Sequence, residues 1–159
     1  FYNNYNYTLK TPSKVTFSSA FLFNKSGLIS LDYSLQNFKN THLDDNDNSF
    51  TNSNNSITSI ANNQASTLRI GSEWRVKQWS FRGGYVQQEN ILAYQPSSFD
   101  TQKYSFGLGF QFKNAKVDLS YEKSDNSELY DFYQQYNQIN PATLNLQNSQ
   151  IGLTLTFLL

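Results

Sequence analysis

Strict alternation of apolar and polar residues, repeated in eight segments, constrains this chain more than any other feature. Along residues 104–112, Tyr104, Phe106, Leu108, Phe110 and Phe112 share one face of an extended strand, and Ser105, Gly107, Gly109 and Gln111 share the other. Near the end, Ile151, Leu153, Leu155 and Phe157 oppose Gly152, Thr154 and Thr156 in the same way. The period recurs in Val15, Phe17, Phe21 and Phe23, in Ile29, Leu31, Tyr33 and Leu35, and in Leu68, Ile70, Trp74 and Val76. Trp79, Phe81 and Tyr85 continue it, as do Val117, Leu119 and Tyr121. A first, weaker segment sets Tyr5, Tyr7 and Leu9 against Asn4, Asn6, Thr8 and Lys10 and is closed by Pro12. Helical spacing fails almost everywhere, so the chain is predicted to be all-β and antiparallel.

The content of the two faces decides between architectures. A soluble sandwich keeps large apolar residues inside and charges outside, whereas a lipid-facing barrel runs polar inside and apolar out. Here Phe, Leu, Ile and Tyr crowd one face, and Gly, Ser, Thr and charges of both signs occupy the other. Mean hydropathy of −0.61 does not argue against a membrane barrel, because only one face of each strand is apolar. No run approaches the roughly 18 apolar residues of a transmembrane helix. Zero net charge removes the basic field that nucleic-acid binding requires, and zero Cys excludes thiol catalysis and thiolate metal sites.

Connection lengths point the same way. Short links at Asn24 to Gly27, Lys77-Gln78 and Lys113 to Ala115 alternate with long polar stretches near 39–65, 89–102 and 124–147. Short turns on one rim and long loops on the other form the outer-membrane pattern, with the long loops extracellular. A link at Lys77-Gln78 pairs Glu73 with Arg82 and Trp74 with Phe81, each match on its own face. Trp74, Trp79, Phe23, Phe112 and Phe157 fall near the short-turn ends, where aromatic residues anchor at a membrane interface. Residues 1–159 thus read as one transmembrane β-barrel segment of about eight strands, in the outer membrane of a Gram-negative bacterium.

Several stretches resemble the FadL-type outer-membrane transporters, particularly Bacteroidetes-like members. They are Tyr5 to Val15, Phe21 to Tyr33, Leu68 to Arg75, Arg82-Gly83-Gly84-Tyr85, Tyr104 to Phe112, Val117 to Tyr121 and the final strand. The resemblance covers nearly all of this chain and the C-terminal half of the family's pattern. It implies a fourteen-stranded barrel, plugged by an N-terminal hatch, that takes up long-chain fatty acids or other hydrophobic compounds. The ending Phe157-Leu158-Leu159 departs from the terminal aromatic usual there.

The charges on the polar face are Lys14, Asp32, Arg69, Glu73, Arg75, Arg82, Lys116, Asp118 and Glu122. Interleaved signs predict a lumenal ladder that keeps enclosed charge neutral, with Glu73–Arg82 its plainest pair. Arg69, Arg75 and Arg82 are the candidates for gripping a ligand carboxylate, whose geometry suits a guanidinium fork. Tyr130, Phe132, Tyr133 and Tyr136 cluster in the last long loop, as a patch that admits a greasy ligand or as aromatics that pack among themselves or rest on the outer leaflet. Asp44-Asp45-Asn46-Asp47-Asn48 resembles half a calcium loop, but Ser49 replaces its Gly and Asn55 its closing Glu, so a solvated loop is expected. His42 is the lone His and completes no zinc site or catalytic triad.

These features predict a transport protein without a cofactor or enzymatic role, whose partners are outer-membrane lipid and a hydrophobic small molecule. Association with other outer-membrane proteins stays open. The rival is a complete eight-stranded barrel with a structural or adhesive role; an outer-membrane enzyme would need a rim constellation that the sequence lacks.

Overall fold

Alternation becomes strand pairing in the computed structural model, which describes residues 6–45, 49–130 and 140–157. Among the described residues nine strands form: β1 (Thr8–Lys10), β2 (Lys14–Phe23), β3 (Gly27–Gln36), β4 (His42–Asp44), β5 (Ala65–Val76), β6 (Trp79–Gln88), β7 (Thr101–Gln111), β8 (Ala115–Tyr130) and β9 (Ala142–Phe157). One helix, α1 (Thr51–Ile60), lies between β4 and β5. Seven strands make a single meander in the order β2-β3-β5-β6-β7-β8-β9, each antiparallel to its neighbours, and β1 pairs with β4 apart from it. The sheet is open, with β2 and β9 as its edges.

The register carries a steady stagger. Gly27 faces Trp74, so β5 runs on through Arg75 and Val76 before turning. Trp79 faces Phe110, and β7 runs on through Gln111 to Phe112, whose N–H donates to the Ala115 carbonyl at 2.7 Å. Each tight turn therefore sits two residues beyond the previous one. At the other rim Gln36 faces Ala65, whereas Gln88 faces Thr67, again two residues along. One residue per strand, about 3.4 Å of rise over about 4.8 Å of strand spacing, tilts the strands by about 35° from the perpendicular to the line of the turns.

Each of the eight alternating segments holds a strand, the first only over Thr8–Lys10, and that one does not join the large sheet. Pro12 lacks the N–H that would carry pairing from β1 into β2. β1 turns instead to β4, with Lys10 opposite His42 and Lys10 Nζ 3.7 Å from Asp44 Oδ2.

The long connections also differ from the expected plain loops. The first holds β4, α1 and a 3-10 turn, Phe38–Asn40. It interlocks with the second through an Ala61–Leu92 bridge and through bonds from Asn62 N to Ile91 O (2.7 Å) and Ala93 N to Ile60 O (2.8 Å). Asparagine side chains wire this region. Asn54 accepts from Leu43 N and donates to Leu43 O, and Asn90 accepts from Leu92 N. The third connection is shorter than 124–147, because β8 extends to Tyr130 and β9 begins at Ala142.

Lys77 opens the two-residue turn between β5 and β6 at φ 54°, a left-handed conformation that suits glycine. Lys77→Gly should raise the unfolding free energy by about 1 kcal/mol in denaturant titrations, whereas Gln78→Gly should give no gain.

Candidate functional site

The candidate site is the sheet itself, because its two faces differ along their whole width. On one face the apolar residues form a band rather than filling the strands. It runs from Val15 to Phe23 on β2, from Leu35 to Gly27 on β3 and from Leu68 to Val76 on β5. It continues from Tyr85 to Trp79 on β6, from Tyr104 to Phe112 on β7, and from Ile151 to Phe157 on β9. Beyond its upper border the same face turns polar, with Gln87, Gln102, Lys123, Asp125, Gln147 and Ser149.

The band slants across the sheet. Tyr33 pairs with Leu68, but Leu68 pairs with Gln87, and the next outward residue on β6, Tyr85, pairs with Tyr104. Tyr104 in turn pairs with Lys123, so the band on β8 starts two residues lower, at Tyr121. The upper border thus descends with the tight turns. About eight residues of strand, inclined by about 35°, give a band about 22 Å high.

Aromatic rings edge both borders. Near the tight turns Phe23 lies 5.3 Å from Trp74, Trp79 lies 4.7 Å from Phe110, and Phe110 lies 4.7 Å from Phe112, centroid to centroid. At the other border Tyr85 and Tyr104 lie 5.2 Å apart. Nothing in the described chain covers the band. Phe17 is 65% exposed, Ile151 74% and Phe157 73%.

The polar face holds all the charges singled out in the sequence. Five of them join in one chain: Arg75 Nε to Glu73 Oε1 at 2.6 Å, Arg82 Nε to Glu73 Oε2 at 3.0 Å, Arg82 Nη1 to Asp118 Oδ1 at 2.7 Å, and Lys116 Nζ to Asp118 Oδ2 at 2.9 Å. The predicted Glu73–Arg82 pairing, and that of Trp74 with Phe81, hold in the register. Lys14, Asp32, Arg69 and Glu122 share the face, but no ion pair joins them among the described residues, although Asp32 is the direct cross-strand partner of Arg69. The ladder is therefore confined to β5, β6 and β8.

Arg82 reaches Asp118 across β7, and two glycines make that crossing possible. A Cβ at position 109 would lie 2.5 Å from Asp118 Oδ1, and one at 107 would lie 3.3 Å from Arg82 Cβ. The sequence offered this signal, since Gly109 is the register partner of both Ser80 and Asp118.

Alternation concealed a second feature. Leu22 and Leu28 are cross-strand partners on the polar face, inside the runs Phe21-Leu22-Phe23 and Leu28-Ile29, where the period breaks. With Asn24, Lys25, Gly27, Glu73 and Arg75 they line a cleft of about 280 Å³ beside the first tight turn. The cleft sets an apolar wall against a guanidinium.

The loop candidates separate. Tyr130 closes β8, while Phe132, Tyr133 and Tyr136 lie outside the described residues, as do Asn46, Asp47 and Asn48 of the acidic run. Asp45 accepts from Ser49 N at 3.0 Å, and His42 Nε2 lies 3.5 Å from Asn54 Nδ2. No group of three or more His, Cys, Asp or Glu able to hold a metal occurs among the described residues. No helix among them is long and apolar enough to cross a membrane, which leaves crossing by strands untouched. No protein-family model matches the chain, and no curated protein matches it.

Arg82 and Asp118 are partly solvated, with side chains 31% and 20% exposed, so their bridge contributes only about 1 kcal/mol. Gly109→Ala should cost about that much stability by displacing Asp118. Its cost should shrink in an Asp118→Asn background, as a double-mutant cycle in denaturant would measure.

Proposed function

We propose that this chain forms part of the wall of an outer-membrane β-barrel in a Gram-negative bacterium, and that the barrel passes hydrophobic compounds such as long-chain fatty acids inward. The observation that carries the membrane reading is the slanted apolar band. In a tilted barrel wall the lipid-facing zone must lie perpendicular to the barrel axis, and hence oblique to the strands. A band about 22 Å high is close to the roughly 25 Å of outer-membrane barrels, and aromatic borders on both sides suit the two interfaces.

Strand direction bears on the barrel's size. β2 and β9 are the first and seventh strands of an antiparallel meander, so they run the same way. Antiparallel closure therefore takes an odd number of further strands. Seven more would complete the fourteen that the FadL-type resemblance implies. A single extra strand would complete eight, but β1, the segment suited to that place, is paired with β4. Open edges in lipid would leave backbone groups unsatisfied, so the additional strands are part of the proposal.

The cargo reading rests on the resemblance and on the Leu22–Leu28 cleft. An aliphatic chain can lie on the leucines while Arg75, held by Glu73 through Nε, meets a carboxylate with its remaining N–H groups, which matches one of the three arginines picked out for that role. Arg82 is already held by two carboxylates, which suits it to supporting the wall.

Two experiments test the proposal. In the full-length protein folded into vesicles, Leu108→Arg, near the middle of the band, should cost about 2–4 kcal/mol, and Gln102→Arg, above it, about 0–1. Equal costs at the two positions would contradict a lipid-facing band. Cells relying on this protein should take up labelled long-chain fatty acid several-fold more slowly when it carries Leu22→Asp and Leu28→Asp. Unchanged uptake at normal surface abundance would remove the cleft from the path.

A further inference from the structure

The three tight turns carry Asn24-Lys25-Ser26, Lys77-Gln78 and Phe112-Lys113-Asn114, with one lysine in each and no acid. Lys25, Lys77 and Lys113 are exposed, and none has an ion-pair partner among the described residues. The cations just above them, Arg75 and Lys116, lie on the polar face and are bound to Glu73 and Asp118. The turn lysines thus form a separate set of uncompensated charges along one rim.

Their placement follows from the register. Successive turns are two strands apart and two residues further along, which puts neighbouring lysines about 12 Å apart on a line parallel to the lower border of the apolar band. If the band marks a hydrocarbon zone, all three reach the same depth just outside it. Directly above stands the aromatic border of Phe23, Trp74, Trp79, Phe110 and Phe112. Lys77 occupies a left-handed position that glycine or asparagine fills more easily, so backbone preference does not account for its choice. The opposite rim is different in charge: Asp44, Asp45, Glu89, Asp100, Asp125 and Glu128 are interspersed there with Lys10, Lys39, Lys103 and Lys123.

We propose that the short-turn rim is a collar for anionic phospholipid, in which Lys25, Lys77 and Lys113 engage headgroup phosphates while the adjoining rings enter the interface. The inference rests on the membrane reading above and deepens it by naming a lipid class and the residues that select it. Lysine is well suited to this role, because a compact ammonium on a flexible four-carbon stem reaches a fluid layer of phosphates without fixed geometry. Each lysine near an anionic surface is worth up to about a fivefold preference.

Trp74 and Trp79 are the two tryptophans of these 159 residues, and both lie on this border, so with any tryptophan elsewhere in the protein replaced by phenylalanine their fluorescence reports on the collar. The full-length protein would be folded into vesicles mixing phosphatidylcholine and phosphatidylglycerol, with one or the other brominated in its acyl chains. Brominated phosphatidylglycerol should quench the tryptophans with a relative binding constant about fivefold above that of brominated phosphatidylcholine. The preference should fall to near unity in the Lys25→Gln, Lys77→Gln, Lys113→Gln triple variant and in high salt. Equal quenching by the two lipids in the unaltered protein would overturn the collar and leave the membrane reading standing. A preference undiminished in the triple variant would also overturn the assignment to these lysines. Quenching by neither lipid would overturn the membrane reading itself, and the collar with it.

Discussion

A seven-stranded sheet with a continuous apolar band across one face must have that band covered, and every other property of this structure depends on what covers it. Sheets in globular domains meet the requirement with a second layer. Among the described residues no such layer exists: the buried apolar residues are Ala61, Ala65 and Phe99, all at the loop end of the sheet. Each outward Phe, Leu or Ile left in water forgoes about 1.5–3 kcal/mol. Over the width of the band that amounts to tens of kcal/mol, against the roughly 5–15 kcal/mol by which a typical domain is stable. Cover from outside this stretch of chain is therefore a condition of the fold, and lipid is the cover proposed here.

The polar face solves the converse problem. In the proposed barrel, arginines and carboxylates on the inner side need partners, and Arg75, Glu73, Arg82, Asp118 and Lys116 supply them to one another across three strands. The arrangement depends on what β7 leaves out, since side chains at Gly107 and Gly109 would obstruct the crossing. The Leu22–Leu28 pair breaks the polarity beside one end of this chain of charges. A face that is charged in one place and greasy in the next is what the proposed passage of an amphiphile calls for.

Much of this was legible in the sequence because a period of two assigns every side chain to a face once the strands are found. Glu73 opposite Arg82 followed from one two-residue link, and all the predicted inward charges lie together. What alternation marks, however, is the apolar band and not the strand. β8 and β9 continue past Tyr121 and before Ile151 with mostly polar residues, broken by Leu129, Tyr130, Leu144 and Leu146, so their outer halves read as loop. Helix α1 was hidden because Thr51–Ile60 is rich in Asn and Ser, which favour turns and caps over helix interiors. The place of β1 is ambiguous in sequence, since its short alternation fits a wall strand as well as a distant partner for β4. Only the Lys10–Asp44 contact and the break at Pro12 distinguish them.

These 159 residues contain no cysteine, so a thiol introduced among them is unique once any cysteine elsewhere in the protein is replaced. Spin labels placed singly along β9, from Gln147 to Phe157 in the full-length protein folded into vesicles, would be relaxed by oxygen and by a water-soluble nickel complex. With the band in lipid, oxygen dominates at Ile151, Leu153, Leu155 and Phe157 and nickel at Gln150, Thr154 and Thr156, with nickel alone at Gln147 and Ser149 above the band. Nickel accessibility without alternation, or an oxygen zone continuing through Ser149 and Gln147, would contradict a lipid-facing wall.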